Sequence, residues 1–207
     1  MTGAARKVSL AVIRHGRTDW NEAGRIQGRT DTPLSDAGRA ALIGRRPPPA
    51  LAGHAWVASP LARAVETARL LSGADPETEP RLAEMGWGDW EGRRLADLRA
   101  ALGAEMARME ARGLDFRPPG GESPRDVQDR LRPWLRAVAA AGRPRIAVTH
   151  KGVIRALLAL ASGWDMTGKP PARLDWTRVH VFHLAADGRP AVGDLNLPLI
   201  ATEAAET

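Results

Sequence analysis

Leu10-Ala11-Val12-Ile13-Arg14-His15-Gly16-Arg17-Thr18-Asp19-Trp20-Asn21 decides the reading of this chain. A β-branched, apolar run from Val8 to Ile13 has the character of a strand buried on both faces. It stops abruptly at Arg-His-Gly, so two polar side chains leave its carboxyl end. In open α/β sheets, ligands bind outside the carboxyl ends of strands. His15 is therefore the centre from which partners are sought.

Two later segments repeat the pattern. Ala55 to Ala58 reads as a short strand stopped by Ser59-Pro60, with Arg63 one turn into the helix that follows. Arg145 to Thr149 reads as a third strand and runs into His150, directly before an apolar helix from Gly152 to Ala161. Glu84 follows a brief extended piece, Pro80 to Leu82.

Between these units the periodicity predicts helices. One starts at an N-cap on Ser35 and runs to about Arg46, where Pro47-Pro48-Pro49 ends it. A second spans Leu61 to Leu71, with Leu61, Val65, Ala68 and Leu71 on its apolar face and Arg63 on another. A third covers Arg93 to Arg112 through Leu95, Leu98, Leu102, Met106 and Met109. A fourth, within Glu122 to Ala141, carries Val127, Leu131, Trp134, Leu135 and Val138. Asn21 to Pro33, Met85 to Gly92 and Arg117 to Ser123 read as irregular. Val179 to Leu184 and Ala191 to Leu195 form a hairpin around Asp187-Gly188, and Ala201 to Thr207 is a frayed tail.

Alternating strands and helices predict an α/β fold: a three-layer sandwich around a mostly parallel sheet, with helices on both faces. Residues 1–207 make one domain, and about 87–121 is a lid-like insertion between βα units.

Composition narrows the chemistry. With no cysteine there is no disulfide framework, thiolate metal site or cysteine nucleophile. The 30 basic residues include only three lysines, and against 24 acids they leave a net charge of +6. They are scattered, which argues against a nucleic-acid face and suits a small anionic substrate. The polar start at Met1 to Lys7 and the lack of an 18-residue apolar run predict neither a signal peptide nor a membrane span, hence a cytoplasmic protein.

Taken together, Arg14 and Arg63 offer guanidinium forks matched to phosphate oxygens. The helix after His150 adds a positive dipole end. A neutral histidine attacks, and a carboxylic acid protonates a leaving oxygen. No aspartate-rich cluster invites magnesium, so charge stabilisation falls to Arg and His and no metal or cofactor is expected.

In this setting the chain resembles the histidine phosphatase superfamily, in its phosphoglycerate mutase-like branch. The resemblance rests on ordered blocks: Arg14-His15-Gly16 with Thr18, Trp20-Asn21 and Gln27-Gly28; Asp31-Thr32-Pro33-Leu34-Ser35 and Gly38; Ser59-Pro60-Leu61 with Arg63, Glu66 and Thr67; Leu82-Ala83-Glu84; Gly88-Asp89-Trp90-Glu91-Gly92; Gly120-Gly121-Glu122-Ser123; and Val148-Thr149-His150 with Gly152-Val153-Ile154-Arg155. It implies a metal-independent phosphatase acting on a small phosphomonoester. His15 is then the nucleophile and Glu84 the acid and base. Arg14, Arg63, His150 and Asn21 hold phosphate, and Gln27 and Gly28 line the substrate side.

Alternatives are cofactor-dependent, phosphoglycerate mutase-type phosphoryl transfer and a non-catalytic phospho-ligand binder. Glu66 and Glu91 are the other nearby carboxylates, with Glu91 read as orienting a loop. Trp87 and Trp90 are either pocket walls or core. His54, His180 and His183 fall outside the site. Arg17 and Lys151 depart from the usual pattern and favour a strongly anionic substrate. A homodimer is left open, and no nucleic-acid or membrane partner is expected.

Overall fold

The computed structural model describes residues 7–202. In chain order the elements are β1 (Val8–Arg14), α1 (Asp19–Glu22), α2 (Asp36–Ala40), β2 (Arg45–Arg46), β3 (Ala55–Ala58), α3 (Ala62–Ser72), β4 (Glu77–Thr78), α4 (Leu95–Leu102), α5 (Ala104–Glu110), α6 (Pro124–Ala141), β5 (Arg145–Thr149), α7 (Lys151–Ser162), β6 (Val179–Leu184), β7 (Pro190–Val192) and β8 (Ile200–Ala201). The main sheet runs β4-β3-β5-β1-β6-β7. Its first four strands are parallel, and β6 and β7 close it antiparallel.

The two residue periods of β1 explain the layers. Leu10 and Val12 point into a core with Val127, Leu131 and Leu135 of α6 and Ile154 and Leu157 of α7. Ala11 and Ile13 point the other way, onto Ala64, Ala68 and Leu71 of α3. A strand covered by helices on both faces must be apolar at successive positions, as this one is. The α/β sandwich with a mostly parallel sheet is therefore observed. A third, smaller cluster gathers Trp90, Leu98 and Met106 with Ile26, Leu95 and Phe116, so the segment after Trp87 packs largely on itself.

Several boundaries differ from the sequence reading. The helix from Ser35 stops at Ala40 rather than near Arg46. Gly44 takes φ +68°, and Arg45 and Arg46 instead pair with Ile200 and Ala201. Ala201 is thus tied down rather than frayed, and residues 203–207 of the expected tail lie outside those described, as do 1–6 of the N-terminus. The helix expected over Arg93 to Arg112 is two helices, broken at Gly103, whose φ of +48° no other residue type adopts cheaply. Pro80 to Leu82 is a 3-10 turn and not an extended piece: Pro80 starts it and the Glu79 side chain caps Arg81 N–H. Asn21 sits in the short helix α1, where Thr18 and Asn21 form a capping box, instead of a loop. Among the described residues no helix is long and apolar enough to cross a membrane.

Candidate active site

Register brings the two histidines together. β1 and β5 pair from Leu10 opposite Arg145 to Arg14 opposite Thr149. The next residue continues the ladder, His15 N–H donating to the Thr149 carbonyl at 2.9 Å. Both strands therefore end level, and the His15 and His150 rings lie 5.0 Å apart. A cavity of about 930 Å³ opens at this edge, lined by Arg14, His15, Asn21, Gln27, Gly28 and Glu84 together with Arg17, Lys151 and Arg155. Arg63 and His150 do not line it; both are fully buried immediately behind its floor.

His15 is held as a neutral base. Its Nδ1 lies 2.7 Å from the Gly16 carbonyl. That carbonyl accepts only, so Nδ1 carries the proton and Nε2 keeps its lone pair. Burial lowers the His15 pKa well below the ordinary value, and the nearby Arg14 and Arg63 charges push it further down. His150 is shifted down in the same way, first by burial and then by His15 and Arg63. Its Nε2 lies 2.7 Å from Ser59 Oγ, and its buried Nδ1 has no partner among the described residues.

Each guanidinium keeps an unsatisfied nitrogen. Arg14 Nε and Arg63 Nε are buried without a hydrogen-bond partner among the described residues. Arg63 spends its terminal nitrogens on the carbonyls of Thr30 (2.9 Å) and Gly28 (2.8 Å). Arg63 thus shares the buried side of α3, where the sequence reading sets it apart from the apolar face. The helix buries Arg63, Ala64, Thr67, Ala68 and Leu71, and leaves Val65 and Leu70 partly covered. The loop carbonyls reverse the usual preference of a cation for solvent. Burial lowers the pKa of both arginines. Two buried cations with spare donors are costly alone and favourable with an anion between them.

Glu84 faces them with opposite character. Its Oε1 accepts Met85 N–H at 2.8 Å and its Oε2 accepts Gly152 N–H at 3.2 Å. Those bonds and both arginines favour the carboxylate, yet burial outweighs them and raises its pKa. A protonated carboxyl is the form that donates a proton. Gly152 makes this approach possible, since a Cβ there would collide with Glu84 Oε1. Gly152→Ala should displace the carboxyl and lower kcat on alkyl phosphates by about 100-fold, the cost of misplacing a reacting group. Steady-state kinetics beside an unchanged circular dichroism spectrum checks this; full activity would detach Glu84 from the chemistry.

Neighbouring side chains aim the donors. Gln27 Oε1 accepts from Thr18 Oγ1 at 2.8 Å and from Thr32 Oγ1 at 2.5 Å. A twice-bonded amide oxygen fixes the flip of Gln27 and leaves its NH₂ free to donate. Asn21 Oδ1 is likewise bound, to Thr18 N–H at 3.2 Å. Glu91 accepts the N–H groups of Arg29 and Thr30 at 2.9 Å and that of Trp87 at 3.1 Å, so it clamps the Gly28–Thr30 loop. Glu66 is taken by Arg39 at 2.5 Å. Trp87 lines the cavity, while Trp90 is core. His54, His180 and His183 are absent from the cavity lining.

Sequence reasoning missed four positioning residues. Ser59 holds His150. Thr67 Oγ1 accepts Gly16 N–H at 2.9 Å. Arg130, on the far helix α6, donates to the Ala83 carbonyl at 2.6 Å and pairs with Glu122 at 3.2 Å. Glu122 in turn accepts Gly86 N–H at 2.9 Å. Ser59 and Thr67 stood inside the quoted blocks without a role. Arg130 gave no local signal, being one of many arginines on an amphipathic helix.

Comparison with known proteins agrees with this geometry. The profile of the histidine phosphatase superfamily (branch 1) matches residues 10–197. A glucosyl-3-phosphoglycerate phosphatase of Mycolicibacterium vanbaalenii is 35% identical over 206 residues, covering 87% of each chain. A 2,3-bisphosphoglycerate-dependent phosphoglycerate mutase 2 of Gloeobacter violaceus is 35% identical over 164 residues, covering 72% of this chain and 73% of its own. The solved structure of a mycobacterial glucosyl-3-phosphoglycerate phosphatase with VO3 superposes with a TM-score of 0.75 at 28% identity, covering 91% of this chain and 98% of the other.

Proposed function

Because the chain belongs to the histidine phosphatase superfamily (branch 1), we propose that it hydrolyses a small phosphomonoester through a phosphohistidine on His15. One observation carries the reading: a neutral, buried His15 with a free Nε2 sits beside guanidinium donors that lack partners, opposite a carboxyl raised toward its protonated form.

The chemistry follows from these groups. The phosphoryl oxygens settle on Arg14 and the amide of Asn21, with the Arg63 charge and His150 buried immediately behind them. His15 Nε2 attacks phosphorus and the ester P–O bond breaks. The leaving oxygen takes the Glu84 proton. The ring now carries positive charge, and its Nδ1–H remains bound to the Gly16 carbonyl, which stabilises it. A water then enters. Glu84, now a carboxylate, removes its proton, the water oxygen bonds phosphorus, and the P–N bond breaks to return neutral His15 and inorganic phosphate. Charge developing on the phosphoryl group is met by fixed donors already in place. Gln27 and Gly28 border the organic part of the substrate.

Residues 1–207 form one domain in this reading, and residues 87–121 act as a lid over the cavity. The packing of Trp87 and Phe116 into the cavity wall supports that role.

The test is p-nitrophenyl phosphate turnover in excess EDTA. Phosphate release at the same rate with and without chelator is expected. A metal requirement overturns the mechanism. A phosphoenzyme that forms but passes its phosphoryl group only to a phosphoglycerate supports the mutase reading. Tight phosphate binding with neither step makes the protein a binder.

A further inference from the structure

The cavity carries a second group of cations that the reaction above does not use. Lys151 and Arg155 stand one turn apart on α7, so their side chains share a face, and both line the cavity. Several arginines around this edge are paired, Arg29 and Arg130 with Glu122, Arg117 with Asp126, and Arg99 with Glu110, while Arg17 and Arg25 line the cavity without an ion pair among the described residues. Lys151 and Arg155 have no ion pair among the described residues.

Each lies instead against an indole. Lys151 Nζ is 5.2 Å from the Trp176 ring centroid, and the Arg155 guanidinium is 5.1 Å from that of Trp164. Trp164 is itself anchored, its Nε1–H donating to the Thr167 carbonyl at 2.8 Å. A ring face orients a cation and leaves its N–H donors unspent.

Electrostatics makes the arrangement unfavourable when empty. The Lys151 pKa is lowered by partial desolvation at the cavity mouth and by repulsion from Arg14 and Arg155, with Glu84 opposing them. Burial lowers that of Arg155, with no carboxylate to offset it. The remaining wall mixes apolar Ile26, Leu95 and Phe116 with charged Glu22, Arg25 and Glu110. Three like charges at one end of a cavity larger than a phosphate needs imply a ligand with more than one anionic group.

We propose that Lys151 and Arg155, braced by Trp176 and Trp164, form a second anion subsite that takes a carboxylate or a second phosphate on the organic part of the phosphomonoester. This rests on the phosphatase reading for what occupies the floor beside His15. Arg17, on the loop after β1, lines the same cavity but has neither of these indole contacts.

The experiment measures binding rather than turnover, so that it stands apart from the phosphatase assay. Calorimetry on His15→Ala protein compares 3-phosphoglycerate with glycerol 3-phosphate, which differ only by the carboxylate. Glycerol bisphosphate tests the phosphate arm. The acid or the bisphosphate should bind about 10- to 100-fold more tightly than glycerol 3-phosphate, which carries a single anionic group, as charge-assisted hydrogen bonds predict. Adding Lys151→Met and Arg155→Met should remove that difference, and Lys151→Glu alone, at an exposed position, should reverse it. Equal affinities in the His15→Ala protein, or a preference that survives both substitutions, overturn the subsite. Failure of the phosphatase reading shows separately, as wild-type protein that turns over no ester.

Discussion

His15→Ala abolishes turnover, with kcat falling by about 10,000-fold or more, as removal of a covalent nucleophile does. The size of the effect follows from the site's construction. Among the described residues His15 is the imidazole that lines the cavity with a free ring nitrogen, whereas His150 is turned to Ser59 and lies behind the floor. Acid-labile, base-stable phosphate trapped on wild-type protein should vanish in the variant. Phosphate binding should persist, because Arg14, Arg63 and the Asn21 amide remain. Trapped phosphate surviving in His15→Ala would move the nucleophile elsewhere. Loss of binding without any phosphoenzyme in the wild type would remove the covalent step altogether.

Glu84→Gln has the second largest effect, and its signature is a pH profile. His15 must be neutral, and its pKa is lowered, so its requirement is met at all but acid pH. Glu84 must be protonated, and its pKa is raised above the usual 4.5, so its requirement is lost as pH rises through that value. The phosphorylation rate should therefore rise through the first ionisation and fall through the second, peaking between them. A bound phosphate dianion extends the falling limb upward by disfavouring the carboxylate. In Glu84→Gln the single-turnover rate on an alkyl phosphate drops by about 100- to 10,000-fold. The loss is smaller for p-nitrophenyl phosphate, whose leaving group needs little protonation, and the falling limb disappears. A limb that persists in the variant would assign the acid role to another group.

Much of this site was legible in the chain. Val8 to Ile13, Ala55 to Ala58 and Arg145 to Thr149 are short, apolar and β-branched, and each was found within a residue of its observed ends. Those signals are local and strong. Helices α6 and α7 were equally clear, because a period of 3.6 persists over many residues. The weak elements failed for a common reason. Arg45–Arg46 is a strand only because Ile200–Ala201 lies beside it, and no two-residue window encodes that pairing. The break at Gly103 interrupts an apolar spacing that continues unperturbed from Leu102 to Met106, so the pattern runs across a bend that the backbone makes.

The sequence by itself determined that strands alternate with helices and that His15 and His150 leave strands of one parallel set. It also placed two guanidiniums and a carboxyl at neighbouring exits. Only the tertiary structure decided which of those groups face the cavity and in what charge state. Arg63 shows why. A helical period assigns a cation to the outside, because solvation of charge is the default. The carbonyls of Gly28 and Thr30, distant in sequence, replace water around it and turn it inward. Glu84 shows the same for protonation: burial against Gly152 outweighs two nearby arginines, a balance of desolvation and Coulomb energy that depends on distances no sequence states.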